Sequence, residues 1–192
     1  MPERLSKILT EFGIVSSDSR QLFIQKSSVR VFPKNTIIFS ENKPNNYEYL
    51  LIEGVLHRFN ETDKGDLVTT GFYLNQTVIT PHFARIRNNK SIFSLQALTE
   101  IIIAEIPIKE LDYLRHTNQE FTRFGQNVVE KELSNTFFYQ SIERSYSAKE
   151  RLLILRSEYR NLENLIPHNI IASYLGITNV SFSRLRKEIA TR

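Results

Sequence analysis

Apolar residues change their period several times along this chain of 192 residues. Leu5, Ile8, Leu9 and Phe12 recur at helical spacing and Gly13 follows them, which predicts an amphipathic helix closed by glycine. A second helical piece is predicted over 18–26. From Val29 the texture turns to short β-rich runs at 29–32, 36–39, 47–52, 55–59, 67–73, 91–98 and 101–106. Turn residues separate them, as in Pro33-Lys-Asn35, Glu53-Gly54 and Thr62-Asp-Lys-Gly65, and closely spaced strands of this kind predict an antiparallel β-roll or barrel.

After Pro107 the helical period returns. No proline or strand-like run interrupts 108–146, so one long helix is predicted there, with Phe121, Phe124, Val128 and Leu133 forming a drifting apolar stripe. A drifting stripe suits a helix with two clients, its own β-roll and another chain, and Phe121, Phe124 and Val128 are the expected homodimer interface. Ser147-Ala-Lys-Glu150 fits a capping box and opens a new helix through Leu152, Leu153, Leu155 and Tyr159. The fold class is therefore α+β. Three segments are expected: a β-roll with N-terminal helices at 1–107, a connecting and dimerisation helix at 108–146, and a helical unit at 147–192.

That last unit, Pro167-His-Asn-Ile-Ile-Ala-Ser-Tyr-Leu-Gly-Ile-Thr-Asn-Val-Ser-Phe-Ser-Arg-Leu-Arg-Lys-Glu-Ile189, reads as a helix-turn-helix. Ile171 and Leu175 share a face, Ala172 permits close crossing, and Gly176 supplies the left-handed turn. Ile177 plugs the joint and Thr178 is a good N-cap. Phe182, Leu185 and Ile189 mark the buried stripe of the second helix, which leaves Val180, Ser183, Arg184 and Lys187 facing outward with donors suited to base edges and phosphates. Charge is placed to match: residues 138–192 hold nine Lys or Arg against five Asp or Glu, whereas 1–137 hold sixteen of each. Double-stranded DNA is the expected partner.

Composition narrows the rest. No apolar run reaches the ~18 residues that would span a bilayer, and the first residues lack the apolar core of a signal peptide, so a cytoplasmic protein without a membrane partner is expected. Zero cysteines exclude disulfides, thiolate zinc sites and cysteine-held clusters. His57, His82, His116 and His168 are scattered without ligand spacing, so neither metal nor cofactor is expected, nor the ligand cluster of a cupin-like metalloenzyme; no catalytic residue is assigned.

The order of β-roll, long helix and helix-turn-helix resembles the Crp/Fnr superfamily of bacterial transcription regulators. Val31-Phe-Pro-Lys-Asn-Thr-Ile-Ile-Phe-Ser-Glu41 and Tyr47-Glu-Tyr-Leu-Leu-Ile-Glu-Gly54 look like that family's first strands, with Asn35 where glycine is usual. The resemblance implies a cyclic-nucleotide-binding-like roll (a double-stranded β-helix), a dimer paired through the long helix, and a winged-helix type of DNA-binding unit on a palindromic operator, with RNA polymerase a further partner. Since three residues follow Ile189, the wing is expected to be reduced. By motif position Asn179, Val180 and Arg184 fall where such regulators contact bases, and Thr178 and Ser181 where they contact phosphate. Val180 replaces an acidic residue of the common pattern, so cytosine readout there is replaced by apolar contact.

The sensor half departs further from that family. Its cyclic-nucleotide binders hold the ribose with a Glu and the phosphate with an Arg, but no Asp or Glu occurs from Leu67 through Thr99. Cyclic AMP is therefore not the expected effector, the contrary reading being a cyclic-nucleotide-responsive activator. Arg85, Arg87, Lys90 and Ser91 make that loop basic, the candidate site for another small anionic effector or simply a solvated loop. A regulatory module that gates a partner protein without binding DNA is the remaining rival, and it leaves the basic helix face unexplained.

Overall fold

The computed structural model describes residues 2–79 and 90–190. Helix α1 (Pro2–Glu11) and α2 (Ser17–Lys26) precede, among these described residues, eight strands: β1 (Ser28–Phe32), β2 (Ile37–Phe39), β3 (Tyr47–Glu53), β4 (Val55–Glu61), β5 (Leu67–Leu74), β6 (Thr77–Ile79), β7 (Ser94–Ala97) and β8 (Ile101–Pro107). Helices α3 (Ile108–Thr117), α4 (Gln119–Ser145), α5 (Ala148–Glu158), α6 (Leu162–Leu165), α7 (His168–Tyr174) and α8 (Asn179–Ala190) follow. The strands form two antiparallel four-stranded sheets, in the orders β1-β8-β3-β6 and β2-β7-β4-β5. Asn35 does stand in the left-handed region, at φ 72°, where its short side chain is tolerated.

Side chains alternate across each strand, so each sheet has an inner and an outer face. The inner faces close on one another around Phe39, Tyr49, Leu51, Leu56, Tyr73, Phe93 and Leu95. The outer face of the first sheet, through Leu50, Ile52, Ala104 and Ile106, is covered by α1, α2, α3 and the start of α4. The outer face of the second, through Val55, Phe72 and Leu98, is covered by α5 to α8. Helix α7 is also pinned to β5 by hydrogen bonds: the Thr69 N–H donates to Ser173 Oγ at 3.0 Å, and that hydroxyl donates to the Leu67 carbonyl at 3.2 Å. Thr69 is in turn held by buried His57, whose Nδ1 lies 3.3 Å from the Thr69 hydroxyl and whose Nε2 lies 3.0 Å from Gln96 Oε1. Burial lowers the His57 pKa against the opposing pull of Gln96, which keeps the ring neutral and able to accept from Thr69.

Three expectations are corrected. The helix expected over 108–146 is two, because Asn118 is extended (φ −144°, ψ 122°). Its Oδ1 caps α4 by accepting from the Glu120 N–H at 2.9 Å, and its amide donates to Ser19 Oγ at 2.9 Å. The stretch between the expected strands at 67–73 and 91–98, expected to be a loop from Asn75 to Ser91, includes the short strand β6, while the run at 91–98 contributes only Ser94–Ala97. Finally, Phe121, Phe124 and Val128 are not a surface for a second chain: they are 0, 2 and 5 % exposed within one chain. Phe124 meets Phe12 edge-on with centroids 6.3 Å apart, and Phe121 stacks on Phe23 at 6.4 Å. Further along α4, Leu133 and Phe137, one turn apart, are 47 and 63 % exposed.

Phe124→Ala therefore acts as a core truncation. It should lower unfolding free energy by ~3–5 kcal/mol in denaturant titrations while leaving the sedimentation coefficient of the folded protein unchanged; a loss of association without loss of stability would restore the interface role.

Candidate nucleic-acid interface

Helix α7 begins after Pro167, whose ring presets a φ of −60° and whose missing N–H is no loss at a helix start. Ile171, Ala172 and Leu175 are buried, as their spacing requires. Gly176 ends the helix at φ 63°: its N–H donates to the Ser173 carbonyl at 3.0 Å and the next N–H, of Ile177, reaches back to Ala172 at 3.0 Å. This is the paired closure of a left-handed C-terminal cap, and a Cβ at Gly176 would meet nothing within 4 Å, so it is the dihedral angle and not crowding that calls for glycine. Ile177 then packs beside the same core.

Thr178 caps α8 as expected. Its Oγ1 accepts from the Ser181 N–H at 3.2 Å and its carbonyl from Phe182 at 2.9 Å. Phe182 is buried, with Leu185 and Ile189 against the same core, and this fixes the rotation of α8 about its axis. Asn179, Val180, Ser183, Arg184 and Lys187 consequently share the exposed face, with Val180 61 % exposed at its centre. Ser181 sits at the edge of this group, half-buried, its hydroxyl 3.0 Å from that of Thr178.

Not every cation of the segment is available to a partner. Arg156 donates to Glu163 through Nε and Nη2 at 2.7 and 3.1 Å, and Arg186 of α8 donates to the same carboxylate at 3.1 Å. Arg186 also lies over the Phe182 ring and within 3.3 Å of His168 Nδ1. Burial alone would raise the Glu163 pKa, but Arg156 and, behind it, Arg186 hold the carboxyl below its usual range. Lys149 is paired with Glu188. These contacts tie α8 to α5 and α6, and sequence spacing gave no sign of them, since Glu163 and Arg186 are 23 residues apart. Arg184, by contrast, has no ion-pair or hydrogen-bond partner among the described residues.

The candidate effector residues are less well assembled. Arg85 and Arg87 lie outside the described residues. Lys90 is exposed and bridges to Pro44. Ser91 is buried, its backbone paired with Asn42 at 2.7 Å and Lys43 at 3.0 Å, and its hydroxyl has no partner among the described residues. Among those residues there is also no group of His, Asp or Glu side chains that could hold a metal ion, and no helix is long and apolar enough to cross a membrane.

No protein-family model and no curated protein sequence matches the chain. Solved structures do. FixK2 from Bradyrhizobium japonicum superposes with a TM-score of 0.73 at 17 % identity, over 86 % of this chain and 85 % of that one. CLP, a c-di-GMP responsive global regulator of Xanthomonas campestris, gives 0.73 at 17 % identity over 92 % of each chain. A protein assigned to the Crp/Fnr family from Eubacterium rectale gives 0.73 at 15 % identity, over 92 % of this chain and 84 % of its own. The chain thus has the fold of the Crp/Fnr transcription regulators.

Glu163→Gln leaves two arginines facing an uncharged amide. It should lower stability by about 1–2 kcal/mol near neutral pH, discounted for the partial exposure of both arginines. Because the folded-state pKa of Glu163 is depressed, its contribution is present above the ordinary carboxylate pKa and is lost as pH falls through the lowered value. The variant and wild-type melting temperatures should therefore converge in acid; a constant gap from neutral to strongly acidic pH would exclude this assignment.

Proposed function

We propose that this chain is a DNA-binding transcription regulator of the Crp/Fnr type, a homodimer whose two α8 helices enter successive major grooves of a palindromic operator. The observation that carries the reading is the rotation of α8: the core locks Phe182 inward, Glu163 draws Arg186 sideways, and Arg184 is left facing outward beside Asn179, Val180 and Ser183. An exposed guanidinium without an internal partner among the described residues, flanked by short polar side chains, suits bidentate contact with guanine, and exposed Val180 suits a thymine methyl. Thr178 and Ser181, at the helix N-terminus, suit phosphate contact.

The dimer would form on the outward line of α4. A helix of 27 residues is about 40 Å long, and its second half presents Leu133 and Phe137 to solvent with Phe138 beside them. Large apolar side chains aligned on one exposed helix face are the usual mark of an interface. Control by cyclic AMP is disfavoured by the lack of any carboxylate from Leu67 through Thr99, because each unpaired ribose hydroxyl buried in a roll costs ~1–3 kcal/mol. A basic-loop effector at Arg85, Arg87, Lys90 and Ser91 is part of the same proposal.

Fluorescence anisotropy on upstream-promoter and random duplexes tests the reading. Specific binding should exceed random binding, and Arg184→Ala should cost ~1–3 kcal/mol at the specific site only; equal loss on both would make Arg184 a phosphate contact, and no binding to any duplex would end the proposal. In the second test, Leu133→Asp with Phe137→Asp should give a folded monomer by light scattering whose operator affinity is reduced, as each subunit reads half a site. A wild-type monomer at micromolar concentration would remove the dimer.

A further inference from the structure

Arg58 occupies an unusual place. It shares the inner side of β4 with Leu56, and its guanidinium lies 5.9 Å from the centre of the Phe93 ring inside the roll. From there it crosses the neighbouring strand β5, where Nε donates to the Thr70 carbonyl at 3.2 Å, and ends against α4, where Nη1 lies 2.6 Å from Glu132 Oε1. The crossing needs a gap. A Cβ on Gly71, the residue paired with Arg58 across the two strands, would stand 2.6 Å from Nε and 3.1 Å from Cζ.

Both charged side chains are largely buried, 22 and 18 % exposed. Burial opposes the Arg58 charge, yet Tyr73 and Glu132 outweigh it and leave the guanidinium more basic than usual. Tyr73 is itself pushed up to about 12 by burial, so it remains a neutral phenol and Glu132 is the charge partner. One partner alone would be an uncompensated buried ion. The pair also stands at the head of a line toward the DNA-binding helices. Two turns beyond Glu132 on α4, the Tyr139 hydroxyl is 2.9 Å from that of Tyr159, and Tyr174, which ends α7, packs 5.0 Å from Phe72 of β5.

These residues border a cavity of about 560 Å³ between β5, α4 and α5. Its cations are already matched, Arg58 by Glu132 and Lys131 by Glu11 at 3.5 Å, and Glu158 adds a further carboxylate to the lining, which argues against an anionic occupant.

We propose that Arg58 and Glu132, meeting through the notch at Gly71, are positioning residues that hold the long helix on the β-roll in the DNA-binding arrangement without a cyclic nucleotide. This rests on the reading of the chain as a DNA-binding dimer. The test follows two readouts in the full-length protein without added nucleotide: amide hydrogen exchange of α4, and operator affinity well below each variant's melting temperature.

Glu132→Gln is expected to speed exchange in the middle of α4 and to weaken operator binding, each ~10-fold. Arg58→Gln with Glu132→Gln should be no worse than either alone, since the second change removes an interaction already lost. Gly71→Ala, which displaces the guanidinium without touching either charge, should reproduce the effect if a buried charge variant fails to fold. Cyclic AMP at millimolar concentration should leave wild-type binding unchanged. Unaltered α4 exchange in Glu132→Gln and Gly71→Ala overturns the latch whatever DNA does, as does faster exchange with full operator affinity. Slower wild-type exchange and tighter binding on adding cyclic AMP would also overturn it. If the wild type binds no duplex, the DNA-binding reading falls and with it the stated purpose of the latch, while exchange alone still decides whether the pair holds the helix.

Discussion

The helical segments of this chain pack on one another only in part; the two sheets supply the floor on which they collect. Some forty-five residues of short helices make too small a core to close by themselves, in keeping with the unfavourable surface-to-volume ratio of such units. The outer face of the second sheet supplies the missing floor through Val55, Phe72 and Leu98, on which Leu152, Leu155, Leu162, Ile171 and Phe182 collect. The first sheet does the same for α1 to α4. The β-roll is thus a three-core structure, one inside and one on each side, and the orientation of α8 is set by how its floor is built.

Much of this was legible in the sequence, for reasons that can be named. The turn at Gly176 declares itself because closure requires a positive φ there, and Thr178 because four N–H groups at a helix start need an acceptor. The capping box of Ser147 and Glu150 was readable for the same reason and is formed. Local chemistry of this kind leaves a signature within a few residues. Asn118 leaves a weaker one: an asparagine inside an otherwise helical period signals a break less strongly than a proline, so the period alone predicts one helix where α3 and α4 are two.

What was not legible depended on partners remote in sequence. The apolar period of α4 was clear, yet nothing in Phe121 or Phe124 tells whether the surface they meet is Phe12 and Phe23 or a second chain. Net charge misled in a similar way. The surplus of cations in the last quarter is real, but Arg156, Arg186 and Lys149 are held by Glu163 and Glu188, so the outward face owes its character to few residues, Arg184 among them. Counting charges measures a segment; only the fold shows which of them point away from it.

The bond between Thr69 and Ser173 joins residues 104 apart, and the apolar floor around it spans similar distances along the chain. During synthesis the roll leaves the ribosome long before α7 and α8, so the helix-turn-helix is completed against a surface already made and waiting. The C-terminal helical end of this chain is therefore less an independent module than the closing piece of one, and transplanting it to another protein would require carrying β4 and β5 along with it.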